Sequence, residues 1–348
     1  MRGKQRRSRL RKGSPIMKKL IASSCAHFCV DLCCAALFFG YLNASPQWWL
    51  CMVLYNTCAF ALQLPLGLIA DTWNRNLPFA SLGCVLVCVS FFLKEMSLPA
   101  ALVCGMGNGM FHVGAGLEVM NSSEKAAPLG VFVSPGAIGL YLGTAFASFF
   151  SSNGWLLPLV MILTGLSLMY FNLREGSFVS YNQEISLSVP KNGLLPLVCL
   201  FLVVVLRSLL SGAFTTGPHD IPGIIPVLCL ALGKAAGGFA GDGLGFRNTA
   251  VLSLGGAALL LLLPRGYVTL LSLFLFNMTM PLTLHEAAKL LPGAKGAAFG
   301  LLTLALFVGM VPRFISISLS LSPLAWTALV FLSLGLLLVG LREEVPHA

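Results

Sequence analysis

The chain is poor in charge. Asp, Glu, Lys and Arg make up only 10% of its 348 residues, while hydrophobic residues make up 57%; a soluble domain carries roughly 25% charged residues. So few polar side chains cannot cover a water-soluble globule of this size, and that class is excluded. Sequence patterns for a nucleotide-phosphate loop, a zinc-protease helix or a nucleophile elbow are missing. ATP-driven transport and hydrolase chemistry therefore have no support, the chain is not read as an enzyme, and no cofactor is implied. A disulfide framework is missing as well, because all eleven cysteines fall in apolar segments and none in an expected external loop. Cys25, Cys29 and Cys33 share a helix face, and at ~100° per residue His27 and Asp31 point about 200° away from it. That disfavours a Cys/His metal site within this helix, and no metal ligands are assigned.

The charge that is present is placed unevenly. The net charge is +10, and nine of the 22 Lys and Arg precede Leu20. Such a run beside an apolar helix holds the N-terminus in the cytoplasm more simply than it binds nucleic acid. Met17-Lys-Lys-Leu also reads as an alternative start. A cleaved signal peptide is disfavoured, because the apolar run continues past Leu37 and carries His27 and Asp31.

A helix needs ~20 apolar residues to cross the hydrocarbon core. The sequence offers twelve such spans, near 20–41, 48–70, 77–93, 98–120, 129–150, 155–172, 194–214, 221–241, 249–263, 267–285, 297–317 and 323–341. Breakers such as Asn43–Pro46, Ser151–Gly154, Gly217-Pro218, Pro264–Gly266 and Pro292-Gly293 sit between them. The longest connection divides the spans six and six. The expected organisation is an all-α polytopic membrane protein of two pseudo-symmetric six-helix bundles, residues 20–172 and 194–341. A linker, 173–193, joins them, and short cytoplasmic tails, 1–19 and 342–348, flank them. Loops on the N-terminal side hold Arg75, Lys125, Arg174, Lys191, Arg247, Lys289, Lys295 and Arg342, whereas the opposite loops hold Lys94 and Arg265. That bias places both termini in the cytoplasm of a multi-pass plasma-membrane protein.

One stretch recurs. Gly67-Leu-Ile-Ala-Asp71-Thr-Trp-Asn-Arg75 returns as Gly238-Phe-Ala-Gly-Asp242-Gly-Leu-Gly-Phe-Arg247, with the two aspartates 171 positions apart, about half the chain. These residues resemble the loop signature Gly-x-x-x-Asp-Arg-x-Gly-Arg-Arg of the major facilitator superfamily, with Thr72 and Asn74 replacing the usual Arg and Gly. Glu118 and Glu286 close the fourth and tenth spans at the same side. With Arg75 and Arg247 they are expected to form matched pairs in a cytoplasmic gate built on Gly67, Asp71, Gly238 and Asp242.

Charge inside a bilayer costs about 2.5–3.5 kcal/mol on insertion scales, so such residues usually face a cavity or a partner. Asp31 lies near the middle of the first span with His27 one turn away on the same face. Arg207 and Lys234 lie at membrane depth in the other half. Asp31 with His27 is the candidate proton-coupling pair, and Arg207 and Lys234 the candidate holders of an anionic group; ion pairs locking helices would explain the same residues. Asn56, Gln63, Asn108, His112, Asn277 and Thr279 are candidate cavity residues, with interhelical hydrogen bonding as the alternative. Pro135, Gly136 and Gly139 mark a span able to bend, and they resemble the superfamily's Gly-Pro-x-x-Gly-Gly antiporter signature. His27-Phe-Cys-Val-Asp31, taken with Phe111-His112, is similar to the fosmidomycin-resistance branch, and that resemblance implies export.

The expected function is secondary active transport of a small molecule by alternating access, coupled to protons, by a monomer in the lipid bilayer. The solute is anionic or drug-like, and nucleic acid is not a partner. Two readings compete: an uptake symporter for an anionic or sugar-like solute, and an intramembrane enzyme or metal-binding protein using His27, Asp31, His112 and His285.

Overall fold

The computed structural model describes residues 15–176, 185–211, 222–263, 266–317 and 321–341. The basic run before Pro15, the Gly217-Pro218 turn, Arg265 and Arg342 lie outside the described residues. Among the described residues every regular element is helical.

The first bundle comprises α1 (Pro15–Gly40), α2 (Trp48–Trp73), α3 (Asn76–Phe92), α4 (Ser97–Ser122), α5 (Ala127–Ala145) and α6 (Leu156–Glu175). The second comprises α7 (Leu194–Leu210), α8 (Ile224–Leu244), α9, α10 (Tyr267–Leu290), α11 (Lys295–Phe314) and α12 (Pro323–Gly340). The short ninth span expected from sequence is here α9, Phe246–Ala250 continued through a π-helical turn at Val251–Gly255 into Gly256–Leu260. Among the described residues nine helices are long and apolar enough to cross a membrane, and α3 and α7 are shorter apolar helices. Two boundaries differ from expectation. Helix α1 starts at Pro15, so Lys18 and Lys19 belong to it rather than to a tail. Helix α10 runs on to Leu290, so His285 and Glu286 sit inside it.

Lipid offers no hydrophobic drive for helices to associate, so packing rests on small residues that let backbones approach. Helix α4 is the clearest case. A side chain on Gly107 would meet Gly83 and Val87 backbone of α3 at 2.7 and 2.8 Å, and one on Gly109 would meet the Cys58 carbonyl of α2 at 2.9 Å. Helix α5 is interrupted at Ser134, before Pro135, and α10 at Met278. Within the first half α1 packs against α5, α4 and α6, and α3 against α4 and α6. In the second half α7 packs against α11 and α12, and α8 against α10.

Two seams join the halves, α2 with α11 and α5 with α8. The first seam is closed along its length. Trp49 Nε1 donates to the Phe314 carbonyl at 2.7 Å at one end, Thr303 Oγ1 donates to the Phe60 carbonyl at 3.2 Å further along, and the Asp71 turn closes the other end. In the second seam Ser134 Oγ donates to the Ala231 carbonyl at 2.8 Å.

Candidate functional site: a central polar cluster and two reciprocal clamps

The two repeated turns do the same job in opposite directions. Asp71, at the end of α2, accepts from the backbone N–H groups of Gly296 (2.8 Å) and Ala297 (2.9 Å), the first turn of α11. Asp242, at the end of α8, accepts from Ala126 (2.8 Å) and Ala127 (2.9 Å), the start of α5. Each half thus lends a carboxylate to unsatisfied N–H groups at a helix start of the other, where the helix dipole also favours negative charge. The glycines allow the approach. A side chain on Gly238 would meet the Ala126 carbonyl at 2.7 Å and Ala127 Cα at 2.8 Å; one on Gly67 would run into Gly296 and Ala297. We call this end of the molecule the clamp face.

The clamps are unequal. Asp71 is 8% exposed, whereas Asp242 is exposed and borders a cavity of about 530 Å³ lined by Glu124, Phe246, Arg247, His285 and Lys289 among others. The two glutamates expected to pair with Arg75 and Arg247 contact other groups among the described residues. Glu118 is buried against Lys19 Nζ at 2.9 Å and also accepts from Asn76 Nδ2 at 3.0 Å. Glu286 lies 3.2 Å from both His285 Nδ1 and Lys289 Nζ. Helix α1 reaches farther toward the clamp face than the sequence indicated, and so brings Lys19 to Glu118 first. His285 Nε2 donates across the halves to the Glu124 carbonyl at 2.6 Å.

At the membrane centre the first half gathers His27, Asp31, Asn108 and His112. His27 Nε2 lies 3.2 Å from Asp31 Oδ2, His112 Nε2 lies 3.6 Å from Asp31 Oδ1, and the two Nε2 atoms are 2.9 Å apart. Asn108 Nδ2 donates to Asp31 Oδ1 at 3.4 Å. The other ring nitrogens face backbone carbonyls: His27 Nδ1 that of Phe132 at 2.7 Å, and His112 Nδ1 that of Asn108 at 2.9 Å. A carbonyl only accepts, so both Nδ1 atoms carry hydrogen. In neutral rings both Nε2 atoms then present lone pairs to one another and to the carboxylate. Something positive has to sit among them.

A side chain on Gly136 would strike His27 Nε2 and Asp31 Oδ2. Its role is therefore to leave space beside the cluster, in addition to following Pro135 at the break in α5. Gly139 packs against the Phe28 carbonyl of α1. Nothing in the sequence marked Gly136 as part of the centre.

The second half presents cations. Arg207 is buried, with the Thr283 hydroxyl at 3.4 Å from its Nη1, and Lys234 Nζ donates to the Val133 carbonyl at 3.3 Å. Lys234 lies within Coulombic reach of both Asp31 and Arg207. Among the described residues no carboxylate is in ion-pair contact with Arg207 or Lys234. Arg313, the third membrane-depth cation, donates to the Ser208 carbonyl at 3.0 Å.

Four of the candidate cavity residues make hydrogen bonds within their own helices. Gln63 is buried and bonds the Ala59 carbonyl of its own helix, Asn56 Nδ2 donates to the Met52 carbonyl at 2.7 Å, and Asn277 Nδ2 to the Leu273 carbonyl at 2.8 Å. Thr279 Oγ1 donates to the Phe276 carbonyl at 3.1 Å beside the break in α10. Polar groups next to a broken or π-helical segment satisfy the backbone there. Asn108 and His112 lie beside Asp31.

The arrangement of helices is similar to that of solved transporters, among them one described as a major facilitator superfamily transporter. The E. coli fucose:proton symporter FucP aligns over 94% of this chain and 98% of its own, at 12% identity and a TM-score of 0.67. A bacterial homologue of the iron transporter ferroportin, in an outward-facing state, aligns over 94% and 97%, at 13% identity and a TM-score of 0.63. The human organic anion transporter MFSD10 (TETRAN) aligns over 93% and 99%, at 15% identity and a TM-score of 0.70. At these identities the likeness establishes the fold. No family model and no curated protein matches the sequence itself.

Proposed function

We propose that the protein is a secondary active transporter of the major facilitator superfamily, moving a small solute by alternating access between bundles 20–172 and 194–341. The observation that carries this reading is the pairing of opposites at the centre. Asp31, His27 and His112 on one half face Arg207 and Lys234 on the other, and among the described residues neither the buried Arg207 nor the half-buried Lys234 has a carboxylate in contact. An unpaired buried charge is costly, so the cations are held ready for a solute group of negative charge. A fold neighbour described as an organic anion transporter is consistent with that class.

Coupling runs through the proton that the two facing Nε2 lone pairs require. Asp31 and His27 hold it while the centre is empty, and a solute whose donor or cationic group takes up those lone pairs displaces it. His27 passes it toward the clamp face, which we read as the cytoplasmic side of a plasma-membrane protein from the excess of Lys and Arg in the sequence on that side. The likeness of the His27–Asp31 and Phe111-His112 segments to the fosmidomycin-resistance branch favours export by antiport. Asp71 and Asp242 act as the cytoplasmic gate.

A thermal-stabilisation screen over drugs, sugars, phosphonates and organic acids identifies the solute, and counterflow in proteoliposomes then measures its exchange. Asp31→Asn is expected to abolish accumulation driven by a pH gradient while sparing exchange at equal pH. An Asn variant that still concentrates solute under a pH gradient alone removes Asp31 from the coupling role.

A further inference from the structure

We propose that His27 Nε2, His112 Nε2 and an Asp31 carboxylate oxygen form a binding site for a divalent first-row transition-metal ion, which enters as cargo together with an anionic ligand held by Arg207 and Lys234. The inference rests on reading the centre as the solute site and names the chemistry of that solute. Imidazole nitrogen and carboxylate oxygen bind such ions at about 2.0–2.2 Å, so neighbouring donors around one ion stand roughly 2.9–3.5 Å apart. The two Nε2 atoms are 2.9 Å apart, and the Asp31 carboxylate spans them, with Oδ2 3.2 Å from His27 and Oδ1 3.6 Å from His112. A carboxylate and two imidazole nitrogens leave the remaining coordination positions open, a donor set suited to first-row ions. Two imidazoles argue against Mg²⁺ and Ca²⁺, which take oxygen ligands.

The outer contacts fit as well. Each imidazole that binds a metal usually anchors its other nitrogen to a carbonyl or carboxylate. Both rings do so here, through Phe132 and Asn108, and Asn108 also steadies Asp31. Space is present beside the donor atoms, since a methyl group on Gly136 would occupy it. His112 and Asp31 keep 15% and 19% of their side-chain surface open, so the donors can be reached.

Asn108 adds no charge to the site, while Lys234 opposes a second cation. A bare dication is therefore held less well than one that brings an anion to the Lys234 and Arg207 wall.

The test uses the purified full chain, with Mn²⁺ binding read by electron paramagnetic resonance and Co²⁺ binding by visible absorption, each with and without citrate. One Mn²⁺ per chain is expected, with affinity raised by citrate. His27→Gln and His112→Gln should each weaken binding by more than about 100-fold, beyond the loss of an outer-shell contact, while melting temperature and elution profile confirm folding. Lys234→Met should tighten bare Mn²⁺ and abolish the citrate effect. Absence of stoichiometric binding, equal binding by wild type and both His variants, or sulfur-to-cobalt charge-transfer bands would each overturn the site. If solute exchange persists without metal, this inference falls and the transporter reading stands. If the triad binds metal but the protein exchanges no solute, the site stands and the transporter reading falls.

Discussion

Replacing Asp71 with Asn removes one charge and turns an acceptor into a donor at a place where two backbone N–H groups converge. Hydrogen bonds to a charged group contribute about 1.5–3 kcal/mol each. The Asn side chain keeps one acceptor for Gly296 or Ala297 and sets an NH₂ against the other, so the clamp loses about 2–3 kcal/mol. At 1.4 kcal/mol per decade that is a shift of roughly 30- to 150-fold away from the state closed at the clamp face. Asp242 makes the same two contacts from an exposed position, where solvent screens the charge, so Asp242→Asn should cost only about 1 kcal/mol, near 5-fold. Hydrogen–deuterium exchange reads both effects at the amides concerned. Exchange at Gly296 and Ala297 should rise about 100-fold in Asp71→Asn and much less at Ala126 and Ala127 in Asp242→Asn. Unchanged exchange at 296 and 297, or an Asp242 effect as large as that of Asp71, would refute the reasoning.

Further expectations follow from the other buried charges. Arg207→Lys should weaken binding of an anionic solute at least tenfold with little change in melting temperature, because lysine lacks the planar fork; lower stability with affinity preserved would mark a structural role instead. Lys19→Met removes the ammonium partner of the buried Glu118, and breaking a buried pair from one side costs about 3–5 kcal/mol. A melting temperature within a degree of wild type would show that this pair does not hold α1 to α4.

The repeated turns were legible because each residue type in them is demanded by contact: glycine for close approach, aspartate for a helix start. Their partners were not, since backbone N–H groups at 126, 127, 296 and 297 carry no side-chain signature. His27 and Asp31 stood out through helical spacing in an apolar segment. His112, in a separate helix, reaches them because glycines bring α4 and α5 close to their neighbours, which spacing within one helix does not reveal. Lys19 was misplaced because a basic run reads as a tail, although the helix already includes it. The local hydrogen bonds of Asn277, Thr279 and Gln63 beside broken or π-helical segments could not be read from composition.

Alternation between two closed faces is the central claim. It is tested most directly by spin-label distances between the halves, one pair at the clamp face spanning 72 and 294 and one at the opposite face spanning 49 and 315, in a background freed of native cysteines. Addition of a stabilising ligand or a change of pH should lengthen one distance while shortening the other, as two exchanging populations. Two distances that stay fixed under every condition, or that lengthen together, would contradict the account.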